Sequence, residues 1–119
     1  MRTLILNRQK NALGAWLKLK IFIEDANGKN IINNTACTLL GVLKNGKTGS
    51  YSISAESKKM FISASLIFTQ KKTCYYQIPE GGDIELFLAP TGDIENPQNI
   101  FGVWTKEGLM VEISRGKKW

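Results

Sequence analysis

The chain has 119 residues, 43% of them hydrophobic and 22% charged, and its sixteen basic and ten acidic side chains leave a net charge of +6. That length predicts one domain over residues 1–119 with a single core. The composition excludes a disordered chain, and no apolar run approaches the about 20 residues that cross a bilayer as a helix.

A first strand is predicted over Thr3 to Arg8, where the apolar run stops too early to form the core of a secretory signal, so the expected location is cytoplasmic. Gln9 to Ala15 shows no second apolar turn and reads as a loop. Trp16 to Glu24 is the clearest strand: Leu17, Leu19, Ile21 and Ile23 share one side, and Trp16, Lys18, Lys20, Phe22 and Glu24 share the other. Asp25 to Asn30 is a turn cluster, and Ile31-Ile32 is too short to assign before the polar break at Asn33-Asn34.

Asn45-Gly46 gives the sharpest turn signal, because a type I′ hairpin needs two positive-φ positions and these residue types supply them. Counting outward predicts that Lys44 faces Lys47, Val42 faces Gly49, Leu40 faces Tyr51 and Thr38 faces Ile53. Leu40, Val42, Tyr51 and Ile53 would then point inward, and Leu43, Thr48, Ser50 and Ser52 outward. Lys59 to Thr69 alternates Met60, Ile62, Ala64, Leu66 and Phe68 against Phe61, Ser63, Ser65 and Ile67. A strand over Thr73 to Ile78 ends at Pro79-Glu80-Gly81-Gly82. Ile84, Leu86 and Leu88 alternate once more before Pro90, Gly92 and Pro97 punctuate a loop. Phe101 to Thr105 and Leu109 to Ser114, separated by Lys106-Glu107-Gly108, read as a closing hairpin.

About eight short strands with Gly- and Asn-bearing turns and little or no helix predict an all-β fold, a single antiparallel β-sandwich of jelly-roll or immunoglobulin-like type. The succession Arg8, Gly14, Ile21-Phe22-Ile23-Glu24-Asp25, Gly41-Val42-Leu43-Lys44-Asn45-Gly46-Lys47, Phe61-Ile62-Ser63-Ala64-Ser65 and Ile84-Glu85-Leu86 resembles a group of small uncharacterised bacterial β-sandwich modules. Those modules carry a valine-x-isoleucine-aspartate-glycine strand, a glycine-x-leucine-x-asparagine-glycine hairpin and an isoleucine-x-x-glycine-x-histidine strand. The chain departs from that pattern where turn residues follow Asp25, and again where Glu56-Ser57-Lys58-Lys59 stands in place of the glycine and histidine. The resemblance implies a fold and carries over no activity or site.

With no histidine, neither Ser–His nor Cys–His nucleophile activation can be assembled within the chain. Cys37 and Cys74 form no CxxC pair and could form a disulfide only if the fold brings their Cα atoms to about 4.4–6.8 Å; two buried free thiols are the expectation, with no metal and no cofactor. The carboxylate pairs Glu24 with Asp25, Asp83 with Glu85, and Asp93 with Glu95 could divide acid and base roles if their environments split their pKa values. Their positions at turns, in a loop and on a solvent-facing strand side predict solvated surface instead, and the chain reads as non-enzymatic.

Charge is the property with functional content. Thr73 to Thr105 contains no Lys or Arg and holds Glu80, Asp83, Glu85, Asp93 and Glu95, so all sixteen cations lie elsewhere. If the strands of that stretch lie together, one acidic region faces a basic remainder, and a second copy or another protein becomes the expected partner. The candidate binding residues are Lys44 and Lys47 beside the Asn-Gly turn, Lys71 and Lys72 beside Tyr75 and Tyr76, and the terminal Lys117-Lys118-Trp119. The expected function is a binding or interaction module. Its alternatives are a polyanion or anionic-membrane binder working through lysine-rich turns and, against the missing histidine, a small carboxylate-dependent enzyme.

Overall fold

Apolar alternation builds ten strands in a computed structural model that describes residues 1–10, 18–32, 34–64, 72–90, 101–108 and 113–114. They are β1 (Arg2–Arg8), β2 (Leu19–Glu24), β3 (Asn30–Ile32), β4 (Thr35–Leu43), β5 (Thr48–Ile53), β6 (Lys59–Ala64), β7 (Lys72–Gln77), β8 (Ile84–Pro90), β9 (Phe101–Thr105) and β10 (Ile113–Ser114). The described residues contain no helix, and the strand left unassigned from sequence is β3, only three residues long.

Two sheets result, a four-stranded one in the order β5-β1-β8-β9 and a six-stranded one in the order β10-β7-β6-β2-β4-β3. The expectation of purely antiparallel pairing fails at one ladder: β1 and β8 run parallel, with Leu4 beside Ile84 and Arg8 beside Leu88. A parallel pair needs a long crossover connection, which local turn chemistry cannot announce. The inward sides of both sheets meet in one apolar cluster, with Leu4 and Leu6 from β1, Leu19, Ile21 and Ile23 from β2, Met60 and Ile62 from β6, Tyr76 from β7, Leu86 and Leu88 from β8, and Val103 from β9. The inward sets read from β2, β6 and β8 are therefore correct for their described residues.

The outer side of β2 and β6 is also covered. Phe22, Ile32, Cys37 and Phe61 form a second buried cluster, and Phe22 pairs with Phe61 across the ladder. Phe22 is thus no part of an exposed patch; Trp16 lies outside the described residues. Cys37 is a free, buried thiol, and burial raises its pKa against the smaller opposing effect of a hydrogen bond from the Ile32 backbone.

The hairpin read around Asn45-Gly46 does not form. β4 pairs with β2 and β3 in the six-stranded sheet, whereas β5 pairs with β1 in the four-stranded sheet. Lys44 to Lys47 is a closed turn, the Lys47 N–H donating to the Lys44 carbonyl at 3.1 Å. Gly46 has φ of 72°, but Asn45 is not among the positive-φ residues, so this is not the type I′ turn. A negative then a positive φ is the pattern of a type II turn, which splays the flanking strands and suits a chain passing between sheets.

The face assignment changes with the pairing. On β2, Ile21 sits opposite Gly41 and Phe22 opposite Leu39, which leaves Leu40 as the extra residue of a bulge. Strand parity inverts there. Leu43 is buried, Val42 is 45% exposed, and Leu40 and Tyr51 are partly buried against the main core with Ile53 fully inside it. The closing hairpin fails in the same way: β9 joins β8 in one sheet, β10 joins β7 in the other, and the Gly108 N–H donates to the Thr105 carbonyl at the start of the connection. Between β3 and β4, Ile32 pairs directly with Thr35, and Asn34 takes a φ of 63°.

The acidic stretch is divided as well. β8 and β9 lie side by side in the four-stranded sheet, but β7 belongs to the six-stranded one, so the stretch is split between the two sheets. Asp93 and Glu95 lie outside the described residues.

Candidate functional site

Strand register sorts the charges along the strand direction. Leu43, Leu19 and Ala64 are consecutive ladder partners ending at Lys72, which defines one end of the six-stranded sheet. Arg8 belongs to the same end of the molecule: its backbone N–H donates to the Lys47 carbonyl at 3.0 Å, and its Nη1 donates to the Leu43 carbonyl at 2.8 Å. Lys10 packs beside Gly46, Lys18 precedes Leu19, and Lys10, Lys18, Lys44 and Lys47 are all exposed. Among the described residues this end carries no carboxylate. Glu24 and Asp25 close β2 at the opposite end, joined there by Glu56, Glu80 and Asp83.

Arg8 shows how the sequence builds the basic end. It sits on the inward parity of β1 with Leu4 and Leu6, so the whole side chain is buried and its guanidinium lies beneath the point where β4 turns toward β5. Burial lowers its pKa from the ordinary arginine value.

Beside Arg8 an open groove of about 410 Å³ is lined by Asn7, Arg8, Gln9, Phe87, Leu88, Ala89 and Trp104. Phe87 on β8 and Trp104 on β9 are direct cross-strand partners, so they share the outer face of the four-stranded sheet. Phe87 is 38% exposed and Trp104 half-buried. The Trp104 ring lies back over Gly102, so close that a β-carbon there would overlap it. Asn7 braces the groove floor: it accepts from the Thr48 hydroxyl at 2.9 Å and donates to Glu85 Oε2 at 3.0 Å and to the Leu86 carbonyl at 3.3 Å. Gln9 adds a backbone donation to the Leu88 carbonyl at 2.8 Å.

A second cleft, about 610 Å³, opens at the opposite end and is polar, with Glu24, Asp25, Asn27, Asn34, Thr35, Ser54, Glu56 and Ser57 in its lining. Its strand-end carboxylates serve the fold. Glu24 Oε1 accepts from the Lys58 N–H at 3.0 Å. Asp25 accepts from the Asn27 N–H and from the Thr38 hydroxyl, each at 2.9 Å. The described residues hold no group of three or more His, Cys, Asp or Glu side chains able to bind a metal ion.

The bond from the Asn27 backbone, and after it the Thr38 hydroxyl, hold the Asp25 carboxyl below its ordinary value of 3.8. The stability linked to that depression is present above the ordinary value and is lost as pH falls through the lower folded midpoint. In Thr38→Val one donor disappears, and the Asp25 midpoint should rise toward 3.8. Carboxyl NMR titration checks this, and an unchanged midpoint in the variant would remove the assigned role of Thr38.

Of the residues singled out from sequence, Lys44 and Lys47 come together at the basic end with Arg8. Lys72 reaches that end only by its backbone register, several strands away. Lys71 and the terminal Lys117-Lys118-Trp119 lie outside the described residues, as does the side chain of Tyr75; Tyr76 is fully buried in the core. Asp83 accepts from the Thr3 N–H at 2.8 Å and Glu85 from Asn7, so both have intramolecular partners. Sequence reasoning missed Arg8, Lys10, Phe87 and Trp104. Phe87 did leave a signal, because the alternation of Leu86 and Leu88 already places an aromatic on the side of Glu85.

No helix among the described residues is long and apolar enough to cross a membrane. Comparison of the chain with protein-family models, with curated proteins and with solved structures returned no match.

Proposed function

We propose that this chain is a non-enzymatic binding module, its two sheets forming a β-sandwich of jelly-roll or immunoglobulin-like type, and that it holds a polyanion at the end bearing Lys10, Lys18, Lys44 and Lys47. The observation that carries the reading is the segregation of charge: this end has no described carboxylate, and Arg8 lies beneath it. Several exposed lysines with no described carboxylate among them attract a polyanion by releasing its condensed counterions. Docking against a second copy is the weaker reading. At the opposite end Glu24, Asp25, Glu56, Glu80 and Asp83 are offset by Arg2, Lys29, Lys58 and Lys59, which leaves little net charge to attract a basic surface.

Retention on immobilised heparin, falling as salt rises, is the expected result. The charge reversal Lys44→Glu with Lys47→Glu should flatten the salt dependence by about two units of slope and lower affinity about tenfold or more near physiological salt. Wild-type protein that elutes at the lowest salt, or a double variant that binds like wild type, would overturn the proposal. Sedimentation tests the weaker reading, which predicts an assembly that dissociates in salt.

A further inference from the structure

We infer that the polyanion is a single-stranded nucleic acid, whose bases stack on Phe87 and Trp104 while its phosphates run toward Lys10, Lys44 and Lys47. This rests on the polyanion reading and adds to it a platform that a charge-only ligand would not use. The two aromatics are cross-strand partners on one face, beside the groove that Arg8 and Gln9 help to line. Register links them to the lysine turn: Thr48, Asn7, Phe87 and Trp104 are successive ladder partners across β5, β1, β8 and β9, and Lys47 directly precedes Thr48. Strands lie about 4.8 Å apart, so the lysine turn and Phe87 are separated by about 10 Å, the width of two strand spacings.

The surrounding chemistry gives the strand a direction. Glu85 lies on the same side of β8 as Phe87, two residues nearer the other end, and its carboxylate repels a phosphate there. The backbone therefore leads away from Glu85, toward Lys10, Lys44 and Lys47. A duplex keeps its base faces inside its own stack, whereas an unpaired strand can present them to an aromatic side chain. Trp104 is held against Gly102 on one side, so a base reaches it from the groove side shared with Phe87.

The test uses the full chain and four probes: a fluorescent oligo-dT, an abasic oligomer of the same length and charge, a duplex of that length, and heparin. The expected order is oligo-dT tighter than abasic oligomer and duplex, with Phe87→Ala and Trp104→Ala each weakening oligo-dT by roughly 5- to 150-fold. Heparin retention should be unchanged in both variants, and circular dichroism reports whether they remain folded. Equal binding of oligo-dT and abasic oligomer, or aromatic variants that bind oligo-dT like wild type, overturns the stacking platform and leaves the polyanion reading standing. Failure of every probe, heparin included, overturns both. If an aromatic variant unfolds, the more conservative Phe87→Leu and Trp104→Leu decide the matter by the same comparison.

Discussion

Leu6→Ala should lower the unfolding free energy by about 2–5 kcal/mol, enough to unfold much of the population of a marginally stable domain. Leu6 is fully buried on β1, which is flanked by β5 on one side and β8 on the other, and its side chain enters the cluster shared by both sheets. A truncated side chain there leaves a cavity between two layers that are each fixed by ladder hydrogen bonds, so neither can readily collapse to fill it. The same truncation at Ile31, which is 63% exposed on the edge strand β3, should cost no more than about 0.5 kcal/mol. Urea denaturation of both variants provides the comparison. Equal midpoints would mean that the two sheets do not share the core described above.

That core was largely legible in the sequence, because alternation alone places Leu19, Ile21 and Ile23, Met60 and Ile62, and Leu86 and Leu88 on inward faces. A strand buried on one side repeats every second residue whatever it pairs with. Pairing itself was not legible. Asn45-Gly46 and Lys106-Glu107-Gly108 turn the chain as their composition demands, yet each hands it from one sheet to the other instead of back along the strand it left. Turn chemistry specifies a change of direction over a few residues; which ladder receives the next strand depends on contacts distant in sequence, such as the parallel seating of β8 on β1. The bulge at Leu40 removed the remaining guide, since one extra residue moves Val42 out and Leu43 in.

The candidate site was legible only in fragments. Lys44 and Lys47 stood out because they flank a turn, but Lys10 joins them only through its packing beside Gly46. Arg2 and Arg8 have the inward parity of Leu4 and Leu6, and both are buried. An arginine at a strand end reads as solvated when the backbone carbonyls that receive it come from other loops. Trp104 and Phe87 become neighbours only through the antiparallel register of β9 on β8, and the sequence between those strands gives no measure of that register.

Arg2 shows what such a buried cation does for the fold, and Arg2→Met should cost about 1–3 kcal/mol while keeping most of the side-chain volume. Its Nη1 donates to the Pro79 carbonyl at 2.9 Å and to the Gly81 carbonyl at 3.2 Å, and its Nη2 donates to the Ser57 carbonyl at 3.3 Å. One planar group thus ties the turn after β5 to the turn before β8 at the end of the molecule opposite Lys10, Lys18, Lys44 and Lys47. Methionine fills the space but donates nothing, so carbonyls aimed at the guanidinium lose their partner. The loss should be local first: exchange at the Ser57 and Ile78 amides, which donate to Ser54 and Lys58, should quicken more than exchange at Ile21 in the centre of β2. Arg2→Lys retains the charge without the fork geometry and should fall between wild type and Arg2→Met. If Arg2→Met leaves both the urea midpoint and those amides unchanged, the guanidinium does not hold the two turns. Binding at the opposite end offers a separate readout, since oligo-dT affinity of the folded Arg2→Met protein should match that of wild type.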